Sequence, residues 1–406
     1  MTSVDELIYD WNQMDGNCEV SGLQFDDETL RDGLQSPSAR DPDLGQKIEL
    51  LHLMDSLGIQ TADLGLPGAG GRPREDILKL AKEISDQRLS IQANVACRTV
   101  VQDIEPVVEL SQKSGIPIEV CAFIGSSSIR QYAEGWELED ILGHTRKALT
   151  YARDNNLPVM YVTEDTSRAH PDTIKALYTL AIELGAKRIC VCDTVGHSTP
   201  VGVRGVVGYV KKLVEDLGAD VGVDWHGHQD RGLGIANSLA AIEAGATRIH
   251  GTALGVGERT GNAAMDQLLV NCKLLGYIDN DLTKLPDYVS KAAEYIDIPF
   301  PANYPVLGDD AFETGTGVHA AAVIKAMKKG DAGLADLVYS GVPASMVGRE
   351  QQIGVGPMSG KSNVLFCLER LGVEANDENV EKVLAKAKVS KSLMTDDEIR
   401  ATVASA

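Results

Sequence analysis

The chain has 406 residues, and 59 Asp and Glu against 38 Lys and Arg leave a formal net charge of −21. A general nucleic-acid binder needs a basic face to neutralise phosphates, so that class is excluded. With 43% hydrophobic and 24% charged residues, the composition is that of a globular protein able to bury one large core and carry an appendage.

The seven cysteines, Cys18, Cys97, Cys121, Cys190, Cys192, Cys272 and Cys367, are odd in number and include no C-x-x-C pair. A reducing, cytoplasmic setting fits them better than a disulfide or zinc framework. The opening MTSVDELIYDWNQMDG is acidic and has no apolar run. No later stretch approaches the roughly 18 uninterrupted apolar residues of a membrane helix, so neither secretion nor a membrane partner is expected.

Strand-like runs are predicted at 23–27, 59–64, 89–95, 118–124, 159–163, 188–192, 221–225 and 248–253. Each precedes a helical pattern, such as Ile48, Leu51, Met54 and Leu57 after the first and Ile77, Leu80, Ala81 and Ile84 after the second. Gly58, Gly115, Gly185, Gly218 and Gly245 sit where helix C-terminal caps belong. Eight such units in about 255 residues predict an α/β protein built as a (β/α)8 TIM barrel, with an open doubly wound sheet as the alternative.

Past residue 285 the pattern changes. A helix at 287–295 leads into IDIPFPANYPV, whose prolines 299, 301 and 305 forbid continuous helix. Helical stretches are then predicted at 320–327, from 350–352 onward, at 363–371 and at 379–388. The predicted division is an N-terminal extension at 1–21, a catalytic barrel at 22–285, and a linker with a helix-rich C-terminal lid domain at 286–406.

In VDWHGHQDRG, His226 and His228 end a predicted strand at i and i+2 and so share one side of it. At the C-terminal end of a barrel strand, two imidazoles aimed at one point suggest a metal. The plainer alternative packs one ring in the barrel and leaves the other at the surface. FDDETLRDGLQ brings Arg31, Asp32 and Gln35 to the same face. Asp32 supplies the carboxylate that a two-histidine site lacks, unless Asp26, Asp27, Glu28 and Asp32 are only a solvated acidic turn. ALGVGERTGN delivers Glu258, Arg259 and Asn262, while YVTEDTSR and CVCDTVGHSTP add Glu164, Arg168, Asp193 and Thr194. Two further features carry no chemistry. MSGKS lacks the leading glycine of a phosphate loop, because Val355 stands there, and Cys190 and Cys192 lie in an apolar run suited to core packing.

Together LRDGLQ, H-x-H and GERTGN resemble the DRE-TIM metallolyase superfamily over residues 22–362. GVGERTGN followed by a helical region resembles its Claisen-condensing branch, the 2-isopropylmalate and homocitrate synthases. The hydroxymethylglutaryl-CoA lyase branch carries a cysteine in that loop, and residues 256–262 contain none. The resemblance implies a metal-dependent condensation of acetyl-CoA with a 2-oxo acid, giving a 2-alkylmalate-type product and CoA, most like 2-isopropylmalate synthase. Homocitrate or citramalate synthesis, or carbon–carbon cleavage like that of the lyase, are the alternatives.

Carried onto this sequence, the resemblance makes Asp32, His226 and His228 ligands of a divalent Mg, Mn or Zn, with Asn262 nearby or coordinating. Arg31 faces the oxo acid, which Gln35, Thr194 and Arg130 help to hold. Glu164 is the catalytic glutamate, His319 in ETGTGVHAAAV the lid histidine and Tyr339 the lid tyrosine. A homodimer is implied as well. Several positions depart from the pattern: Gln229 follows H-x-H, Asp63 replaces a glutamate, and Cys121 and Arg130 replace histidines. An inward Arg130 or Arg231 would favour an acceptor with an extra acid group.

Overall fold

The structure is a computed structural model that describes residues 4–12 and 20–405; Cys18 lies outside the described residues. Eight strands form in chain order: β1 (Gln24–Asp27), β2 (Thr61–Asp63), β3 (Gln92–Arg98), β4 (Glu119–Gly125), β5 (Val159–Glu164), β6 (Arg188–Asp193), β7 (Gly222–Gly227) and β8 (Arg248–Gly251). All pair in parallel with their sequence neighbours, and β8 returns to β1 to close the barrel. The closing register sets Asp26 opposite His250 and Asp27 opposite Gly251. Every predicted strand is present. The third is shifted, because Leu89 to Ile91 are taken by helix-end contacts: the Leu89 N–H donates to the Ile84 carbonyl and Asp55 accepts from the N–H groups of Ser90 and Ile91.

Helices α1 (Leu44–Ser56), α2 (Gly71–Gln87) and α3 (Val101–Ser114) follow the first three strands, and α4 (Ser128–Glu134) and α5 (Leu138–Asp154) share the fourth crossover. The remaining crossovers use α6 (Pro171–Glu183), α7 (Pro200–Asp216) and α8 (Gly234–Glu243), with α9 (Met265–Leu274) after β8. Local chemistry sets where they begin. Asp43 and Gln46 form a capping box at the start of α1, while Pro171 and Pro200 open α6 and α7 at the positions where a missing N–H costs nothing.

The predicted boundary at 285 moves. One compact unit includes residues 20–299, so α10 (Leu285–Ile296) belongs with the barrel instead of opening the second region. Its buried Tyr288 donates to the Asp27 carboxylate, and its last carbonyl, on Ile296, accepts from the Arg40 N–H. The apolar face of this helix is buried through Val289, Ala292 and Ile296, a fate its amphipathic pattern left open.

The second unit, which includes residues 300–405, is built from α11 (Gly317–Lys328), α12 (Ala332–Leu337), α13 (Lys361–Arg370), α14 (Asp377–Val389) and α15 (Asp396–Ala404). Its core joins Val323, Val364, Leu368, Val383 and Ile399. The stretch from residue 350, predicted helical, instead contains the short strand β10 (Gln352–Ile353), paired in parallel with β9 (Glu313–Thr314). Here backbone pairing and the adjacent glycines of IGVGP favour an extended chain. Among the described residues no helix is long and apolar enough to cross a membrane.

The barrel floor is polar, unlike the branched apolar layers usual in this fold. Buried Asp224 accepts from Arg188 and Arg248, each at 2.6 Å, and Arg248 also donates to Glu119 at 2.7 Å. Burial would raise the Asp224 pKa, but the two guanidiniums hold it well below the usual carboxylate range. Removing one partner of such a group strands a buried charge. Asp224→Ala is therefore expected to lower unfolding free energy by about 3–5 kcal/mol, read as a reduced urea midpoint by far-UV circular dichroism; a wild-type midpoint would refute the role.

Candidate active site

Barrel closure brings the ends of β7 and β1 to one point. His226 and His228 leave β7 on the same side, and Asp32 stands in the turn after β1. The two Nε2 atoms are 3.3 Å apart, and the Asp32 Oδ2 lies 3.8 Å from that of His226 and 3.6 Å from that of His228. Donors bound about 2.0–2.2 Å from one ion stand roughly 3.0–3.5 Å apart, so these three come close to sharing a cation. Two buried polar atoms beside them, His228 Nδ1 and Asn262 Oδ1, lack a hydrogen-bond partner. Two imidazoles and a carboxylate with an amide oxygen alongside are the donor set of a divalent ion, and the residues fit such a group.

Asn262 reaches this point through the glycine loop, its Nδ2 donating to Asp32 Oδ2 at 2.5 Å. The loop must be tight. A Cβ at Gly257 would fall 2.4 Å from Asn262 Oδ1, and one at Gly261, where φ is +93°, would fall 1.9 Å from the Gly255 carbonyl oxygen. Arg259 ties the loop across the mouth, donating to Asp230 at 2.8 Å and to the Thr194 carbonyl at 2.6 Å.

Arg31 is gripped by three carboxylates: Asp63 at 2.7 Å, Asp32 at 2.8 Å and Glu28 at 2.9 Å. Burial pushes the Asp63 carboxyl up to about 7. Burial also opposes ionisation of Asp32 and Glu28, but for Asp32 Arg31 and His226, and for Glu28 His226, Arg31 and His250, bring the pKa down. His228 is pushed down to about 4, by burial first and by the neighbouring His226 second. It is thus neutral near pH 7, the form in which imidazole binds a metal.

These groups face a cavity of about 120 Å³. Gln35, Glu164, Thr194 and Glu258 also line it. Burial raises the Glu164 pKa, so that its carboxyl is more readily protonated than a surface glutamate. The Thr194 hydroxyl already accepts from the Asp165 N–H at 2.8 Å. The rest of the wall is apolar and sulfur-rich, with Phe123, Val162 and the buried cluster of Cys121, Met160, Cys190 and Cys192, the last beside His226 on the neighbouring strand.

Arg130, expected at the oxo-acid pocket, does not line this cavity. It sits in the first turn of α4, with its stem over Gly125 and its guanidinium paired with Glu134 at 3.1 Å. It borders a neighbouring cleft with Glu164 and Thr194. Nor is Arg231 inward: it is exposed and donates to the His197 carbonyl at 2.7 Å. One belongs to a helix and the other to the turn beyond His228, so neither presents its charge to the cavity as an acceptor with an extra acid group would need.

His319, on α11, and Tyr339, just past α12, lie in the second unit, where their rings stack with centroids 4.4 Å apart. Two buried groups of the barrel were missed altogether. Glu28 looked like a loop acid and His250 like part of a plain strand, yet each lies against the candidate ligands or their neighbours. A parity count would have found them: Asp26 and Glu28, Asp224, His226 and His228, and Arg248 and His250 all repeat at i+2.

The profile of the HMGL-like family matches residues 22–290. A homocitrate synthase, AksA, from Methanopyrus kandleri is 33% identical over 89% of this chain and 86% of its own length. A 2-isopropylmalate synthase from Sulfolobus acidocaldarius is 31% identical over 89% of each chain. Among solved structures, an HMG-CoA lyase from Acenitobacter baumannii superposes with a TM-score of 0.56 over 67% of this chain and 90% of its own, at 20% identity, a likeness of fold. The chain belongs to the HMGL-like family of DRE-TIM metallolyases, the group to which its strand-end motifs pointed.

Proposed function

We propose that the protein condenses acetyl-CoA with a short aliphatic 2-oxo acid and hydrolyses the thioester, releasing CoA and a 2-alkylmalate-type product, as a 2-isopropylmalate synthase does. The observation that carries this is the convergence of Asp32, His226 and His228 within 3.8 Å, beside Arg31 and an apolar wall. The condensing synthases among its relatives support the same chemistry.

A divalent cation held by Asp32, His226 and His228, with Asn262 beside them, would supply Lewis acidity toward a keto group. Arg31 offers five N–H donors, and its three carboxylate partners leave others for the oxo acid's own carboxylate. Gln35 and Thr194 flank that position. Glu164, easily protonated because it is buried, exchanges a proton with the reacting groups. His319 as the base for the acetyl methyl, Tyr339 as its phenol partner, and a homodimeric assembly are proposed on the sequence resemblance.

The apolar wall decides among acceptors. With the carboxylate and keto group drawn to the polar side, the acceptor's side chain meets Cys121, Phe123, Met160 and Val162. A second carboxylate there would be buried without a partner. This favours an acceptor such as 2-oxoisovalerate over 2-oxoglutarate. The homocitrate synthase relative supports the opposite choice, so substrate preference is the test.

Free thiol released from acetyl-CoA in the presence of a panel of 2-oxo acids measures the reaction. Release should require added Mg²⁺ or Mn²⁺ and stop in EDTA. His226→Ala should lower kcat by about 10²–10³-fold with an unchanged circular dichroism spectrum. Release that persists in chelator, or none with any oxo acid, would overturn the proposal.

Within the panel, kcat/KM for aliphatic acceptors should exceed that for 2-oxoglutarate by at least about tenfold, the discrimination of about 1.4 kcal/mol that an apolar pocket readily gives. The reverse preference would overturn the aliphatic assignment while leaving the condensation standing.

A further inference from the structure

The turn that follows Glu164 is stitched to its neighbours on both sides. Three successive residues reach the end of β6: the Asp165 N–H donates to Thr194 Oγ1 at 2.8 Å, Thr166 Oγ1 accepts from the Cys192 N–H at 2.9 Å, and Ser167 Oγ donates to Asp193 Oδ1 at 2.7 Å. Toward β4, the Asp165 carboxylate accepts from the hydroxyl of Ser127, the residue that caps α4. The Glu164 carbonyl accepts from the Ser126 N–H at 3.0 Å and from its hydroxyl at 2.9 Å. Arg168 closes the turn, donating to the two Asp165 carboxylate oxygens at 2.7 and 2.8 Å. Asp165 itself is only 5% exposed.

The backbone of Asp165 is as unusual as its contacts. Its φ of +60° and ψ of +34° lie in the left-handed region, which Asp, Asn and Gly enter far more readily than other residues. Such a conformation persists where surrounding bonds hold it, and here Ser127 and Arg168 do so through the carboxylate. What the turn controls lies on the cavity. Among the described residues no hydrogen bond from another side chain holds the Glu164 carboxyl, so its direction follows from the backbone on either side of it. The Thr194 oxygen is engaged as an acceptor by the Asp165 N–H, which leaves the hydroxyl hydrogen to be donated elsewhere. Thr194 lines the cavity, where the carboxylate of a bound 2-oxo acid is a strong acceptor for that hydrogen.

We propose that Asp165 is a positioning residue for the condensation. By holding the left-handed turn against Ser127 and Arg168, it aims Glu164 at the reacting groups and presents the Thr194 hydroxyl to the carboxylate of the 2-oxo acid. Its own carboxylate is taken up by Ser127 and Arg168 and does not line the cavity. Arg168, one of the charged residues at the strand ends, likewise stands outside the cavity and serves Asp165 instead of the substrate. The inference rests on the condensing function proposed above.

The test measures kcat and KM for 2-oxoisovalerate, or for 2-oxoglutarate where the panel reverses the preference, at saturating acetyl-CoA with full-length protein and added Mn²⁺. Asp165→Ala loses both the carboxylate and the tolerance for positive φ. It should raise this KM and lower kcat/KM by about 10–100-fold. Asp165→Asn should recover most of the loss, because asparagine also enters the left-handed region and offers Ser127 and Arg168 an acceptor. A fold defect alone would shrink the active fraction, lowering apparent kcat and leaving KM unmoved. Thr194→Val should raise KM too, and adding Asp165→Ala to it should raise KM little further, because the hydroxyl that Asp165 presents is gone. If Asp165→Ala does not fold, Asp165→Gly, which takes the turn freely but lacks the carboxylate, carries the same expectation. A wild-type KM in the alanine or glycine variant, no recovery in Asp165→Asn, or additive effects on KM would overturn the inference. Wild-type protein that releases no thiol with any 2-oxo acid would sink the proposed function along with it, whereas normal wild-type turnover with an unmoved KM in Asp165→Ala sinks this inference alone.

Discussion

Closure of β1 onto β8 is the constraint on which the candidate site depends. In an open sheet of the same strand order, β1 and β7 would lie near opposite edges, and Asp32 could not approach the two imidazoles. The pairing of Asp26 with His250 and Asp27 with Gly251 makes β7, β8 and β1 contiguous, so their polar ends meet. β1 has only four residues, and α10 helps to hold its end through Tyr288, which contacts both Asp27 and Thr29. A helix outside the predicted barrel thus supports the strand that brings the site together.

The same closure divides the interior. On the side of β7, β8 and β1 it is ionic, with carboxylates, imidazoles and guanidiniums paired down to the floor. On the side of β4 to β6 the cavity wall carries sulfur atoms and apolar side chains, with Glu164 at its rim and Glu119 and Arg188 joining the ionic floor. Buried charges are tolerated here because nearly every one has a partner, and Arg31 alone answers three carboxylates. A 2-oxo acid is itself divided in this manner, with oxygen atoms at one end and a side chain at the other. That match of shape and polarity underlies the proposed choice of acceptor.

Fold likeness does not choose among chemistries on this barrel. An HMG-CoA lyase shares the architecture, whereas relatives that share more of the sequence are synthases. On such a barrel the chemistry is set at the strand ends and in the loops, and here the glycine loop carries Asn262 to Asp32 and contains no cysteine. The strain of that loop, with Arg259 at φ +57° and Gly261 at φ +93°, accompanies its close approach to the site.

By itself the sequence determined the eight βα units, because strand and helix periodicities are local, and it located His226, His228 and Asp32, because each ends a unit in a recognisable motif. It also carried the glycine loop, whose spacing only small residues satisfy. Tertiary structure alone decided that α10 belongs to the barrel, that residues 352–353 pair as a strand, and that Arg130 turns aside onto α4. It alone set Glu28 against His226, Arg31 and His250, and set His250 between Glu28 and Asp224. The physical reason is that periodicity reports which face of an element is buried, whereas the partner it meets there depends on register and packing, between residues as far apart as Glu28 and His250.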